Sequence, residues 1–150
     1  MLIEKFYLKL LRANFPLLLE GRASLSENRI GEVPIPLINY IYLIKYRRSP
    51  YYDIVKHLLM DMEMHYARAG REGSEVIYTI NPRMLQEAIE ERVKSEKVTT
   101  VNICRTILAL LYGSKLQEEK DFYVTTTSGG RKNYHIRINP RTLNTLKSFL

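Results

Sequence analysis

The segment Ile80-Asn81-Pro82-Arg83-Met84-Leu85 returns 58 residues later as Ile138-Asn139-Pro140-Arg141-Thr142-Leu143, with five of six positions identical. In both copies an alternating apolar run leads into the asparagine: Val76, Tyr78 and Ile80 in one, Tyr134, Ile136 and Ile138 in the other. Alternation is the period of a half-buried strand, whereas asparagine followed by proline opens a helix. The asparagine side chain accepts from free N–H groups, and proline loses nothing at the first helical position. Twice, then, the chain must leave a strand and enter a helix.

Residues 63–92 slide onto 121–150 without a gap. The glycine-bearing segments Gly70-Arg71-Glu72-Gly73 and Ser128-Gly129-Gly130-Arg131 superpose, with Met64 and Tyr66 upstream of one and Phe122 and Val124 upstream of the other. This predicts two β-hairpins, each followed by a capped helix. A lone hairpin is marginal in water, so each must lie on neighbouring helices.

Helical periodicity accounts for most of the remainder. Ile3, Phe6, Tyr7, Leu10 and Leu11 predict an N-terminal helix within residues 1–20, followed by a loop over 22–36. An apolar helix is expected over 36–46, and another from Ser49-Pro50. The helix after Asn81-Pro82 turns Leu85, Ala88, Ile89 and Val93 to one side. Thr99 or Thr100 caps the next helix, whose stripe is Val101, Cys104, Ile107, Leu108 and Leu111, with Gly113 as its stop. The last helix carries Leu143, Leu146 and Leu150 on one face. Together these predict an α+β fold, mostly helical, with two β-hairpins in a duplicated helix–hairpin–helix unit. The repeat spans 49–96 and 99–150 of a single compact domain, 1–150, and the N-terminal helix packs on the first unit.

Several function classes are disfavoured by what the chain lacks. Cys104 is the only cysteine, and His57, His65 and His135 stand at no metal-ligand spacing, so neither a disulfide nor a metal is expected. The longest uncharged stretch, Val33 to Ile44, is too short to span a bilayer. Glu4, Lys5, Lys9 and Arg12 interrupt the apolar N-terminus, which reads as an amphipathic helix of a cytoplasmic protein and not as a signal peptide. There is no glycine-rich phosphate loop, serine elbow or His-Glu helix pair. Asp53, Asp61, Glu63 and Glu75 have no spacing that demands a metal. The expectation is a protein with no catalytic residues and no cofactor. Two glutamines beside eleven tyrosines is usage typical of hot environments.

The charge is uneven. Residues 97–150 hold nine Lys or Arg against three Asp or Glu, so +6 of the net +7 lies in the last third. A localised basic excess is the electrostatic footprint of a surface that meets phosphates. On the second hairpin, Arg131 and Lys132 fall at the tip and His135 and Arg137 at outward positions, with Thr125 and Thr127 on the partner strand. On the preceding helix Asn102, Arg105 and Thr106 face away from the expected apolar stripe, and Asn and Arg can read adenine and guanine edges. Lys45, Arg47 and Arg48 alternate with tyrosines in a second basic segment, which suits stacking on flexed or single-stranded nucleic acid. The first hairpin presents Glu75, Ile77 and Thr79 instead, which suit a homodimer contact or a protein partner.

Helices followed by a hairpin with a basic tip resemble the winged helix-turn-helix family of DNA-binding domains. That resemblance implies a recognition helix in the major groove and a hairpin wing on the backbone or minor groove. The first unit, counted with the N-terminal helix, has three helices before its hairpin; the second has two. Phe15-Pro16 and the helices Pro36–Arg48 and Asp53–Met62 also resemble the C-terminal domain of archaeal and eukaryotic primase large subunits, whose iron–sulfur cysteines this chain lacks. The expected function is non-catalytic nucleic-acid binding, DNA more than RNA, by a regulator. The alternative is an accessory subunit of a replication, primase or transcription assembly acting through protein contacts.

Overall fold

Pro36 occupies the first turn of helix α1 (Ile35–Lys45), whose Leu37, Ile38, Ile41, Tyr42 and Ile44 are all buried. A helix apolar on nearly every side belongs inside a fold, and α1 packs against others along its length. The computed structural model describes residues 29–30, 33–69, 75–92 and 98–150. The expected N-terminal helix, the Phe15-Pro16 segment and the tip Gly70-Arg71-Glu72-Gly73 lie outside the described residues. Within the expected loop over 22–36, β1 (Arg29–Ile30) and β2 (Val33–Pro34) form a short antiparallel ladder ahead of α1.

Helix α2 (Tyr51–Ala69) buries Ile54, Val55, Leu58, Leu59 and Met62. It absorbs Met64 and Tyr66, which the alternating pattern had assigned to a strand, so the first hairpin does not form. The reason is propagation: Met, Glu, Ala and Arg are good helix formers, and no breaker interrupts the run between Pro50 and Gly70. The two segments therefore share strand, asparagine cap and helix, and the expected duplicated helix–hairpin–helix unit is not found among the described residues. In the first copy β3 (Val76–Ile80) leads through Asn81 into α3 (Pro82–Arg92), and Asn81 Oδ1 accepts from the Arg83 and Met84 amides at 3.0 and 3.2 Å. In the second, β5 (Lys132–Ile138) leads through Asn139 into α5 (Pro140–Phe149), where Asn139 and Thr142 cap each other's backbone amides at 2.9 Å.

Between the copies run α4 (Thr100–Gly113) and β4 (Phe122–Thr126). The sheet order is β3-β5-β4, all antiparallel. Without a hairpin of its own, β3 pairs with the return strand of the second hairpin, and Tyr78 lies opposite Ile136. Those two positions are also equivalent under the 58-residue offset, so the repeated strands cross at their matching centres.

One face of the sheet, carrying Tyr78, Ile80, Phe122, Tyr134, Ile136 and Ile138, closes on the helices and is buried. Helix α4 is inserted more deeply than its expected stripe implies: Ile103, Thr106, Ile107, Leu110 and Leu111 are buried, and Val101 is 58% exposed. Two apolar stripes exist on α4, and the helix uses the one that passes through Thr106. A buried threonine is tolerable there because its hydroxyl donates to the Asn102 carbonyl at 2.7 Å. Gly113 does end α4, but for want of space: a Cβ there would come within 2.5 Å of the Phe149 ring. On α5 it is Phe149, with Leu143 and Leu146, that enters the core, leaving Leu150 exposed.

Below the sheet, buried Asp121 accepts from the Gln117 amide and the Arg141 guanidinium, both at 2.8 Å. Burial disfavours its charge, but these two donors outweigh that and hold the carboxyl below its usual range. A depressed carboxyl stabilises the fold above its unfolded value, near pH 4, and this contribution fades as pH falls through the folded value. Because Arg141 is largely exposed, Asp121→Asn should cost only about 1 kcal/mol at neutral pH. In thermal melts across pH, the variant and parent midpoints should converge in acid; a gap that persists at low pH would contradict this origin.

Candidate nucleic-acid interface

The β4–β5 hairpin is closed by Thr127, whose N–H donates to the Arg131 carbonyl at 2.8 Å and whose carbonyl accepts from Gly130 at 2.9 Å. Gly130 adopts φ of 77°, a conformation that L side chains disfavour. This tight tip swings Arg131 and Lys132 over the exposed face of α4. Between them and the first turn of α3 lies a groove of about 630 Å³. Its basic lining consists of Arg83, Arg105, Arg131 and Lys132, all exposed. Val101, Cys104, Leu108 and Tyr134 supply the apolar lining, and among the described residues no carboxylate borders it. Among the described residues none of the four cations forms an ion pair.

Two helix starts, Pro82-Arg83 of α3 and Thr100-Val101 of α4, meet in the same groove. Helix N-termini carry partial positive charge, which adds to that of the side chains. Tyr134 lies at the inner wall with its hydroxyl beside Cys104; burial, then this contact, pushes its ionisation upward, so it stays neutral. The arrangement favours an anionic ligand that also offers apolar surface.

Of the sequence-predicted residues, Arg105, Arg131 and Lys132 converge here. Asn102 is half-buried beside α1, and its Oδ1 accepts from the Tyr40 hydroxyl at 2.6 Å. Thr106 is fully buried and cannot touch a ligand, a correction that follows from the rotation of α4. His135 and Arg137 point to the opposite face of the sheet. Period two separates them from Lys132, which shares its face with Tyr134. There His135 bridges Thr79 and Thr125 at 2.9 and 2.7 Å and stacks on Tyr123 with centroids 4.6 Å apart. Arg137 lies 3.5 Å from Glu75 and over the Tyr123 ring. Thr125 is thus committed to the sheet, and Glu75 and Thr79 to β5; Ile77 alone of that expected contact set is left open, 37% exposed.

The Lys45–Arg48 segment belongs elsewhere too. Lys45 donates to the Phe149 carbonyl and lies over its ring, and burial lowers its pKa. Gly113 also abuts Phe149, so this turn sits at the far end of α4 from the groove. Arg47, at φ of 56°, and Lys56 both flank the Tyr52 ring, and Arg48 is exposed. The four acidic residues do not converge: Asp53 binds Ser49, Asp61 binds Tyr78, Glu63 binds Lys147 and Glu75 binds Arg137. Among the described residues no cluster of three metal-ligating side chains exists, and no helix is long and apolar enough to cross a membrane.

Sequence reasoning missed Arg83. The repeat singles it out in sequence as the counterpart of Arg141; in the structure Arg141 pairs with Asp121, whereas Arg83 has no carboxylate partner among the described residues. Comparison with known proteins finds no match: no family profile, curated protein or solved structure is significantly similar to this chain.

The His135 bridge ties all three strands together on the outer face. His135→Ala should destabilise the fold by about 1–3 kcal/mol, read by chemical denaturation. An unchanged unfolding midpoint would mean that the bridge contributes nothing.

Proposed function

We propose that this protein is a non-catalytic DNA-binding protein that uses α4 and the β4–β5 hairpin tip as its contact surface. The observation that carries the proposal is the groove itself: four exposed cations and two helix starts around one concavity, with no carboxylate among the described residues on its border. Clustered unpaired cations repel one another, so such a site is favoured where a polyanion supplies the missing charge. The order of elements supports the winged-helix resemblance better than the sequence did. Of the helices α1 to α4 that precede the hairpin among the described residues, α2, α3 and α4 would be the family's three, and the hairpin tip lies beside the last of them. On this reading α4 enters the major groove and the tip grips the adjacent backbone.

An accessory role in a replication or transcription assembly finds support in a different place. Met60 and Met64 lie one turn apart on α2, 60% and 49% exposed, and α2 contributes nothing to the groove. A protein contact there is compatible with DNA in the groove.

Released counterions should dominate the affinity, so log K should fall with log salt by about 0.9 per phosphate contacted. In fluorescence-anisotropy titrations with duplex DNA, Arg131→Ala with Lys132→Ala should weaken binding and flatten the slope by about 2. Arg47→Ala with Arg48→Ala should leave both unchanged. A slope that responds to the second pair and not the first would displace the proposed surface.

A further inference from the structure

The uncharged amide and aliphatic hydroxyl side chains bordering the groove, Asn81, Gln86 and Thr100, are already committed. Gln86 donates to the Val98 carbonyl and accepts from the Thr100 hydroxyl, both at 2.7 Å. Asn81 caps α3, and the Asn102 carboxamide oxygen is held by Tyr40. Those bonds fix the orientation of all three amides, and Asn102 is half-buried outside the groove lining, so none is free to turn both its oxygen and its nitrogen to an adenine edge. On α4 that leaves two exposed side chains with uncommitted recognition chemistry: Val101 and, one turn on, Arg105.

Resting on the DNA-binding reading above, we infer that α4 specifies sequence through Val101 and Arg105, recognising a thymine and a guanine two base-pair steps apart. Val101 offers branched methyls at the helix start, the chemistry that matches a thymine 5-methyl group. Arg105 offers the planar fork that fits guanine O6 and N7. Its guanidinium lies 5.9 Å from the Tyr40 ring centroid, an arrangement that restricts the side chain before DNA arrives. Residues four apart on a helix are separated by about 6 Å along its axis, close to two base steps of about 3.4 Å. Arg83, Arg131 and Lys132 lie off α4 and contact phosphates, which position without specifying.

The test is selection from a randomised duplex pool with the intact protein, followed by atom-level substitution in the selected duplex. The pool should enrich a thymine and a guanine at that separation. Replacing the thymine by deoxyuridine, which removes only the methyl group, should weaken the parent several-fold and leave Val101→Ala indifferent. Replacing the guanine by 7-deazaguanine should weaken the parent roughly tenfold and leave Arg105→Ala indifferent. Salt-sensitive binding without that pair, or with a pair indifferent to both analogues, overturns the inference while the DNA-binding reading stands. Failure to bind any duplex at low salt overturns both.

Discussion

The pairing of β3 with β5 is the contact on which the rest of the structure depends. It joins segments 58 residues apart, places Tyr78 against Ile136, and makes one sheet from a hairpin and a solitary strand. Two-stranded hairpins are marginal alone, and the third strand with its helical backing supplies what this one lacks. The buried face of that sheet meets α4, and so the pairing fixes where the hairpin tip lies relative to the helix. Were β3 paired with residues 64–66 instead, β5 would lose the neighbour that orients it.

The caps and strands were legible in the sequence because their signals are local. Asn81-Pro82 and Asn139-Pro140 each end a strand and start a helix, as the capping chemistry requires. The partner of β3 was not legible. A short alternation such as Met64-x-Tyr66 is compatible with either period, and the decision fell to the helix already running from Tyr51, which with them reaches nineteen residues. The burial of α4 failed for a related reason: Val101-Cys104-Leu108 and Ile103-Ile107-Leu111 both satisfy helical spacing, and only the surrounding elements choose between them.

The same logic sorts the candidate site. Arg105, Arg131 and Lys132 could be named from charge alone, because a helix and the hairpin after it tend to lie together. His135 and Arg137 stand at the outward positions that alternation predicts, but the hairpin tip and that outer face do not form one surface. There Thr79, Thr125, Tyr123 and Glu75 consume their hydrogen-bonding and charge. Arg83 comes from the first copy of the repeated segment; in the second, its counterpart Arg141 holds Asp121. The two arginines show how one motif serves stability in one copy and, in the other, leaves a cation with no carboxylate partner among the described residues.

The central claim is that the groove between α4 and the hairpin tip, and not the outer face of the sheet, is where a polyanion lands. Backbone amide chemical-shift mapping during titration with duplex DNA tests it directly. The account predicts shifts concentrated at Arg83 and at residues 100–105 and 127–132, with Tyr123, His135, Arg137 and the 45–48 turn unaffected. Shifts centred on Tyr123 and His135, or on the turn, would contradict it.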